Sequence, residues 1–344
     1  MLDDGMTKRE IEGRLREADG ARLKELWRVA DETRRRYVGD EIHLRGIIEF
    51  SNYCRRNCAY CGLRASNNGL RRYRMTEGEI VSAARAGAAL GVKTVVLQSG
   101  EDVHYDARRM CEIIRGVKAE CDVAVTLSIG ERPFSDYDAM RAAGADRFLL
   151  KHETANRRLF AELHPDDDFD ERIACLKELR DLGYQTGSGN IVGLPGQTTG
   201  DLADDILLFR ALDVDMVGIG PFVAHSRTPL AGYSGGSSEL TLRVIALTRI
   251  VLKDAHIPAT TALATSDPAG RYKALQCGAN VIMPNITPTK YRALYEIYPG
   301  KAGSLETPEG NIARIRRMTE SLNRPISTGY GHTLKRAVGT PPGR

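Results

Sequence analysis

The chain has 344 residues, of which 42% are hydrophobic and 27% are charged, and its formal net charge is +4. This composition is typical of a globular protein with a large core, and the small net charge gives no reason to expect a nucleic-acid or membrane partner. Because no apolar run approaches the roughly 18 residues of a bilayer span and the polar start MLDDGMTKRE lacks the order of a secretory signal, we expect a cytoplasmic protein without structural disulfides.

The order of the predicted elements indicates the fold. Helical spacing of apolar residues occupies roughly the first forty positions, and helical stretches then alternate with β-rich runs at 43–50, 94–99, 123–129, 147–153, 186–193, 216–222, 257–263 and 280–286. Parallel neighbouring strands need crossover connections, so this alternation predicts an α/β fold, a (β/α)8 TIM-type barrel. A doubly wound open sheet is the alternative. We expect a helical extension at 1–42, the barrel at 43–300, and a C-terminal helical extension with a frayed tail, GTPPGR, at 301–344.

Polar motifs follow the predicted strands, where a parallel barrel places its functional groups. The stretch SNYCRRNCAYCGL (51–63) follows the first strand, SGED (99–102) follows the second, HET (152–154) ends the fourth, and GLPGQT (193–198) follows the fifth. By strand parity, Arg147, Lys151 and Glu153 share one face, and these charges suit a barrel interior only if it holds a polar ligand. The alternative is that this face is turned towards the helices and that the charges emerge at the strand ends.

Three cysteines, Cys54, Cys58 and Cys61, lie within eight positions. Structural zinc takes four ligands, and the four other cysteines are scattered and are expected to pack in the core: Cys111, Cys121, Cys175 and Cys277. Three soft thiolates in one loop suit an iron–sulfur cluster that leaves one iron open to a ligand from outside the protein. A zinc site or three unrelated thiols is the alternative.

The order Cys-x3-Cys-x2-Cys after the first strand, with Tyr60 before the last cysteine, resembles the radical S-adenosylmethionine superfamily. This resemblance implies a [4Fe–4S] cluster held by Cys54, Cys58 and Cys61, with S-adenosylmethionine bound to the fourth iron. Further stretches, among them LRRYRMT, VGLPGQT, DMVGIGPF, HIPATTAL and YEIYPGK, are similar to those of the HydE family of [FeFe]-hydrogenase maturases over about residues 10–330.

Membership of that family implies reductive cleavage of S-adenosylmethionine to a 5′-deoxyadenosyl radical. The implied substrate is a cysteine-bound iron with two carbonyl ligands and one cyanide, on the way to the hydrogenase H-cluster. Other hydrogenase maturases and an electron donor are the implied partners. A HydE-like paralogue that acts on another small thiol or amino acid, and a non-catalytic carrier of iron–sulfur or iron-carbonyl units, stay open as alternatives.

The same resemblance implies roles for individual residues. Those expected to contact S-adenosylmethionine are Tyr60, Gln98, Ser99, Gly100, Glu101, Glu153, Arg172 and Met216. Among them, Ser99–Glu101 take the place of a motif for the amino group, Arg172 would hold the carboxylate, and Glu153 would bind other polar groups. Those expected to line a deep substrate cavity are Thr126, Ser128, Arg147, Thr260, Thr261, Tyr295 and Tyr298.

Arg147 is the expected anchor for a substrate carboxylate.

The chain departs from the family pattern twice. Lys151 stands where an arginine is expected, which replaces a bidentate grip with a point charge. No cysteine follows Cys277, so the second cluster of some relatives is expected to be absent.

Overall fold

A barrel of parallel strands forms the centre of the molecule. The computed structural model describes residues 3–335, and the eight strands within them are β1 (His43–Ser51), β2 (Thr94–Ser99), β3 (Ala124–Ser128), β4 (Arg147–Leu149), β5 (Gln185–Val192), β6 (Met216–Pro221), β7 (Pro258–Ala259) and β8 (Val281–Ile282). They pair in parallel in the order β6-β5-β4-β3-β2-β1-β8-β7. Backbone hydrogen bonds from Val217 N to His256 O (3.0 Å) and from His256 N to Asp215 O (2.8 Å) join β6 to the start of β7. The predicted α/β barrel is confirmed, and the open sheet is wrong.

Helices surround the barrel and cap its ends. Those in residues 3–335 are α1 (Lys8–Leu15), α2 (Gly20–Val38), α3 (Glu77–Ala89), α4 (Ala107–Glu120), α5 (Phe134–Ala142), α6 (Arg157–Leu163), α7 (Phe169–Asp181), α8 (Thr199–Ala211), α9 (Ser238–Leu252), α10 (Thr261–Ser266), α11 (Gly270–Gln276), α12 (Thr289–Arg292) and α13 (Pro308–Ser321). None of these described helices is both long and apolar enough to cross a membrane.

Alternating side chains on each strand separate the core from the barrel interior. On β1, Leu44, Ile48 and Phe50 join the hydrophobic layer under the helices. Between them, Arg45 reaches Met216 across the barrel, and Glu49 pairs with Lys301. The charged residues of β1 therefore line the interior, and the apolar residues hold the helices.

The two ends of the chain cover different parts of the barrel. Helix α1 lies against α8, where Lys8 Nζ is 2.6 Å from Asp204 Oδ2. After α13 the chain passes beneath the amino-terminal ends of the strands, where Ser327 N donates to Ile42 O (3.0 Å) and Arg45 Nη2 donates to Gly331 O (3.2 Å). This segment closes the lower end of the barrel. The predicted division at residues 42 and 300 stays a prediction, and the expected GTPPGR tail lies outside the described residues.

Two predicted strands have different boundaries. The strand expected at 257–263 ends at Ala259, because the Thr260 hydroxyl accepts a hydrogen bond from Leu263 N (3.4 Å) and caps α10 instead of extending the strand. The strand expected to reach Glu153 ends at Leu149, and Glu153 has a φ of 63°. Helix α12 ends at Arg292, so the expected cavity residues Tyr295 and Tyr298 lie in the segment that follows it.

Candidate metal centre and active site

The cysteine loop leaves the carboxyl end of β1 and is held by backbone contacts to neighbouring loops. Cys54, Cys58 and Cys61 are partly exposed, whereas the other four cysteines are buried. Between the three cysteines, Ala59 N donates to Leu163 O (2.8 Å), and just beyond them Gly62 N donates to Ile297 O (2.7 Å). These bonds hold the loop against the end of α6 and against the segment that follows α12.

Gly100 lets the loop after β2 lie directly against the cysteine loop. A Cβ atom added to Gly100 would be 2.2 Å from Tyr53 O and 2.7 Å from Cys54 Cβ, and both contacts are too short to tolerate. The same pair of loops is joined by a hydrogen bond from Arg55 N to Glu101 O (3.1 Å). Gly100 therefore sets the position of Cys54.

The three thiols fit a cluster by the chemistry of their donor set. Burial raises the pKa of Cys58 well above its usual range, and the nearby thiols Cys61 and Cys54 raise it further. Burial and then Cys54 raise the pKa of Cys61 to about 12. Three bare thiolates repel one another at such a site, so it suits iron, whose positive charge offsets that repulsion and releases the thiol protons.

A buried network of charges supports the loop from below. Oxygen atoms of Glu101, Glu131 and Asp167 lie within 4.8 Å of one another. Arg56, between the first two cysteines, places Nε 2.7 Å from Glu101 Oε2 and Nη2 2.8 Å from Glu131 Oε2. Arg172 contacts both Glu131 and Asp167. Arg56 and Arg172 thus pair with all three carboxylates, which makes this network a support for the loop and not a metal-ion site.

The structure brings most of the expected cofactor residues to this end of the barrel. Tyr60 lies within the cysteine loop, and Ser99 and Gly100 lie against it at the end of β2. Gln98 Nε2 donates to the hydroxyl of Tyr295 (3.4 Å), and Gln98 pairs in register with Ser128. Gln98, which is expected to contact S-adenosylmethionine, therefore lies beside two residues that are expected to line the substrate cavity, Tyr295 and Ser128.

Glu153 and Arg172 are held by specific partners. Lys151 Nζ lies 2.7 Å from Glu153 Oε2, and although burial opposes ionisation, the Lys151 ammonium lowers the pKa of Glu153. Arg172 Nη1 donates to Lys151 O (2.6 Å), so every guanidinium nitrogen of Arg172 has a protein partner. A carboxylate that binds Arg172 must use its remaining N–H groups or displace Asp167.

Met216 is not brought to the cysteines. It opens β6 at the amino-terminal end, where its sulfur accepts a hydrogen bond from Arg45 Nη1 (2.7 Å). Arg45 precedes Ser51 by six strand residues, which corresponds to about 20 Å along the barrel. Met216 therefore lies in the lower interior, far from the expected site of S-adenosylmethionine.

Arg147 and Thr126 also lie in the lower interior, as neighbours in register on β4 and β3. Arg147 is fully buried and donates to Gln185 Oε1 (3.1 Å), Thr94 Oγ1 (3.2 Å), Tyr330 O (2.8 Å) and His332 Nδ1 (3.0 Å). Burial lowers the pKa of Arg147 to about 10. The Thr126 hydroxyl is buried without a partner among the described residues.

The remaining cavity residues lie at the upper rim near β7. Thr260 Oγ1 donates to Ile219 O (3.0 Å), and Thr261 Oγ1 accepts from Arg271 Nη2 (3.0 Å). Tyr298 follows α12 and is half-buried. The expected cavity set is therefore divided between the rim and the base of the barrel.

Several charged residues that the sequence analysis did not single out belong to this interior. Glu49 Oε1 lies 2.7 Å from Lys301 Nζ with both side chains buried, and Asn285 Nδ2 donates to Glu49 Oε2 (2.9 Å). Arg271 is buried, and its Nε and Nη1 have no partner among the described residues. The one sequence signal for Glu49 is a carboxylate within the otherwise apolar run IIEF.

His164 is a further residue that the sequence analysis missed. Its Nδ1 lies 3.3 Å from Cys58 Sγ. Burial and the nearby Arg172 lower the pKa of His164 to about 4, so its imidazole is neutral. It follows α6 in the run HPDDD, which carries no recognisable metal-site spacing.

Comparison with known proteins connects this geometry to a family. The radical SAM superfamily profile matches residues 48–209. The [FeFe] hydrogenase maturase subunit HydE of Thermotoga maritima is 54% identical over 306 residues, which are 89% of this chain and 88% of that protein. The 3-methylornithine synthase of Methanosarcina barkeri is 29% identical, over 77% of this chain and 75% of that protein. A crystal structure of methylornithine synthase superposes with a TM-score of 0.84 at 25% identity, over 94% of this chain and 95% of that one.

Proposed function

This chain belongs to the HydE family of the radical S-adenosylmethionine superfamily, and from that premise we propose that it acts in assembly of the [FeFe]-hydrogenase H-cluster. The proposed substrate is a cysteine-bound iron that carries two carbonyl ligands and one cyanide. The observation that carries the proposal is 54% identity to a hydrogenase maturase over most of both chains.

The chain is a radical S-adenosylmethionine enzyme, and its cofactors are a [4Fe–4S] cluster and S-adenosylmethionine. When bound and reduced, the cluster supplies the electron that splits S-adenosylmethionine into methionine and a 5′-deoxyadenosyl radical. We assign Cys54, Cys58 and Cys61 as the cluster ligands.

The charge network prepares a place for the methionyl amino group. Glu101 holds both Arg55 and Arg56, but Arg55 is half-exposed and Arg56 is largely buried. Because solvent screens the half-exposed Arg55 more than the largely buried Arg56, Arg55 is the partner of Glu101 that an ammonium group can replace more easily. Arg56 keeps its contact and holds the loop during this exchange.

The lower interior suits an anionic substrate. Arg45 and Arg147 are both buried there, and burial and the nearby Arg147 lower the pKa of Arg45 well below its usual range. Cyanide and thiolate ligands give the proposed iron complex an anionic character that these two cations favour. The hydroxyl of Thr126 adds a hydrogen-bonding group without a partner among the described residues.

A second candidate substrate is another small thiol or amino acid, and Lys151 is the observation that favours it. Its ammonium group is a point charge paired with Glu153, where the family pattern expects the fork of an arginine. Because lysine and arginine bind anions with different geometry, this replacement can change which substrate the barrel interior accepts.

The proposal is tested by anaerobic turnover. The reconstituted chain receives S-adenosylmethionine and dithionite alone, with L-cysteine, or with the synthetic cysteine-bound iron dicarbonyl cyanide complex, and 5′-deoxyadenosine is quantified. We expect a large rise only with the iron complex, followed by transfer of the product to a partner maturase. A rise with cysteine alone favours the second candidate, and cleavage that ignores both additions contradicts the proposed substrate.

A further inference from the structure

His164 is held beside the cysteine loop by packing on both sides. It follows the last residue of α6, is 4% exposed, stacks on Phe160 with a centroid distance of 4.8 Å, and meets the edge of Tyr60 at 5.7 Å. Its Nδ1 faces Cys58 Sγ at 3.3 Å. Among the residues that the structure describes, the ring therefore has one polar contact, and that contact is a proposed cluster ligand.

Iron binding fixes which ring nitrogen carries the proton. A free Cys58 thiol can donate to an unprotonated Nδ1, but a metal-bound thiolate has no proton and can only accept. Nε2 is buried and has no partner among the described residues. If the proton were on Nε2, a buried N–H group would lack a partner among the described residues. The lone pair of Nδ1 would then face the negatively charged thiolate, which is also unfavourable.

We propose that Nδ1–H of His164 donates a hydrogen bond to the Cys58 sulfur of the bound cluster and thereby raises the cluster's reduction potential. Reduction adds negative charge to the cluster and its thiolates, so an N–H donor stabilises the reduced form more than the oxidised form. His164 is a positioning residue that acts through Cys58, and this role rests on the proposed ligation of the cluster by that cysteine.

The test compares two substitutions that separate packing from hydrogen bonding. His164→Phe keeps a ring between Phe160 and Tyr60 but has no donor, whereas His164→Asn keeps an N–H group near the Nδ1 position. His104→Phe, at an exposed histidine of the loop after β2, is the matched control. Each reconstituted protein is titrated to its cluster midpoint potential by electron paramagnetic resonance, without S-adenosylmethionine.

We expect His164→Phe to lower the ratio of reduced to oxidised cluster about tenfold at a fixed potential, which corresponds to a midpoint potential lower by about 59 mV. The midpoint potentials of His164→Asn and of the control should stay near that of wild type. In wild type labelled with 15N-histidine, pulsed resonance is expected to detect a 15N coupling that His164→Phe removes. Equal potentials in wild type and in fully loaded His164→Phe overturn the proposal.

The labelled wild-type protein decides the question even where a variant loads no cluster, because absence of the 15N coupling there also overturns the proposal. A wild-type chain that binds no [4Fe–4S] cluster contradicts the proposed function as well. Iron content per chain, measured first, distinguishes that failure from a cluster that lacks the hydrogen bond.

Discussion

Replacement of Gly100 with alanine is expected to displace the cysteine loop without unfolding the barrel. The added Cβ would lie 2.2 Å from Tyr53 O, so this backbone oxygen must retreat by at least 0.8 Å to reach 3.0 Å. Cys54 Cβ, at 2.7 Å, must move as well. Overpacking of this kind costs about 1–3 kcal/mol.

The effect should fall on cluster binding, because the atoms that move belong to a proposed ligand. Loss of the support of a metal ligand typically lowers metal affinity about 10–100-fold. The assay is iron and acid-labile sulfide per chain after anaerobic reconstitution, followed by competition with an iron chelator. Circular dichroism checks that the variant is folded.

Gly78→Ala is the matched control. Gly78 lies in α3, and a Cβ there would meet no atom of the described residues within 4 Å beyond its chain neighbours and the backbone of its own helix. Alanine should stabilise that helix by about 0.5–1 kcal/mol and leave cluster content unchanged. If Gly100→Ala holds its cluster as tightly as Gly78→Ala does, the proposed packing of the two loops is wrong.

Three further changes test the charged interior. Lys301→Met leaves the buried Glu49 carboxylate unpaired and should lower the free energy of unfolding by about 3–5 kcal/mol, with partial recovery in the double variant Glu49→Gln/Lys301→Met; a loss below about 1 kcal/mol in urea titrations is inconsistent with that pair. Arg271→Met removes a buried cation that makes one hydrogen bond to the described part of the chain, and it should raise the free energy of unfolding by about 1–3 kcal/mol, so a lower melting temperature counts against this reasoning. Burial and the nearby Arg45 lower the pKa of His43 to about 4. The neutral His43 therefore makes its full contribution to the free energy of unfolding above about pH 6.5, the pKa of histidine in the unfolded chain, and this free energy falls by up to about 3 kcal/mol as the pH drops toward 4. His43→Gln should flatten that dependence between pH 7.5 and 4.5, and parallel curves for the two proteins refute it.

The repeating part of the fold was accessible from the sequence because it depends on local patterns. Apolar β-rich runs separated by helices predicted the barrel, and the start of β1 at His43 and the bounds of β2 agree with the expected strands. At β7 the local signals compete, since threonine favours strands but also caps helices. The structure resolves that competition in favour of a cap at Thr260.

The candidate site was accessible only where its residues lie close together in the chain. The spacing of Cys54, Cys58 and Cys61 indicated a metal centre directly. The partners of Arg56, which are Glu101 and Glu131, come from the loops after two other strands and have no mutual spacing to recognise. The contact of His164 with Cys58 joins residues 106 positions apart, so it can be seen only in the three-dimensional structure.

The central claim is that Cys54, Cys58 and Cys61 hold the cluster at which S-adenosylmethionine is cleaved. The most direct measurement is 5′-deoxyadenosine formed per chain, together with iron content, in wild type, Cys54→Ala and Cys121→Ala after identical anaerobic reconstitution. We predict that wild type and Cys121→Ala, which loses a buried thiol at the end of α4, retain both iron and product, whereas Cys54→Ala loses both. A Cys54→Ala protein that keeps an intact cluster and forms 5′-deoxyadenosine contradicts the assignment.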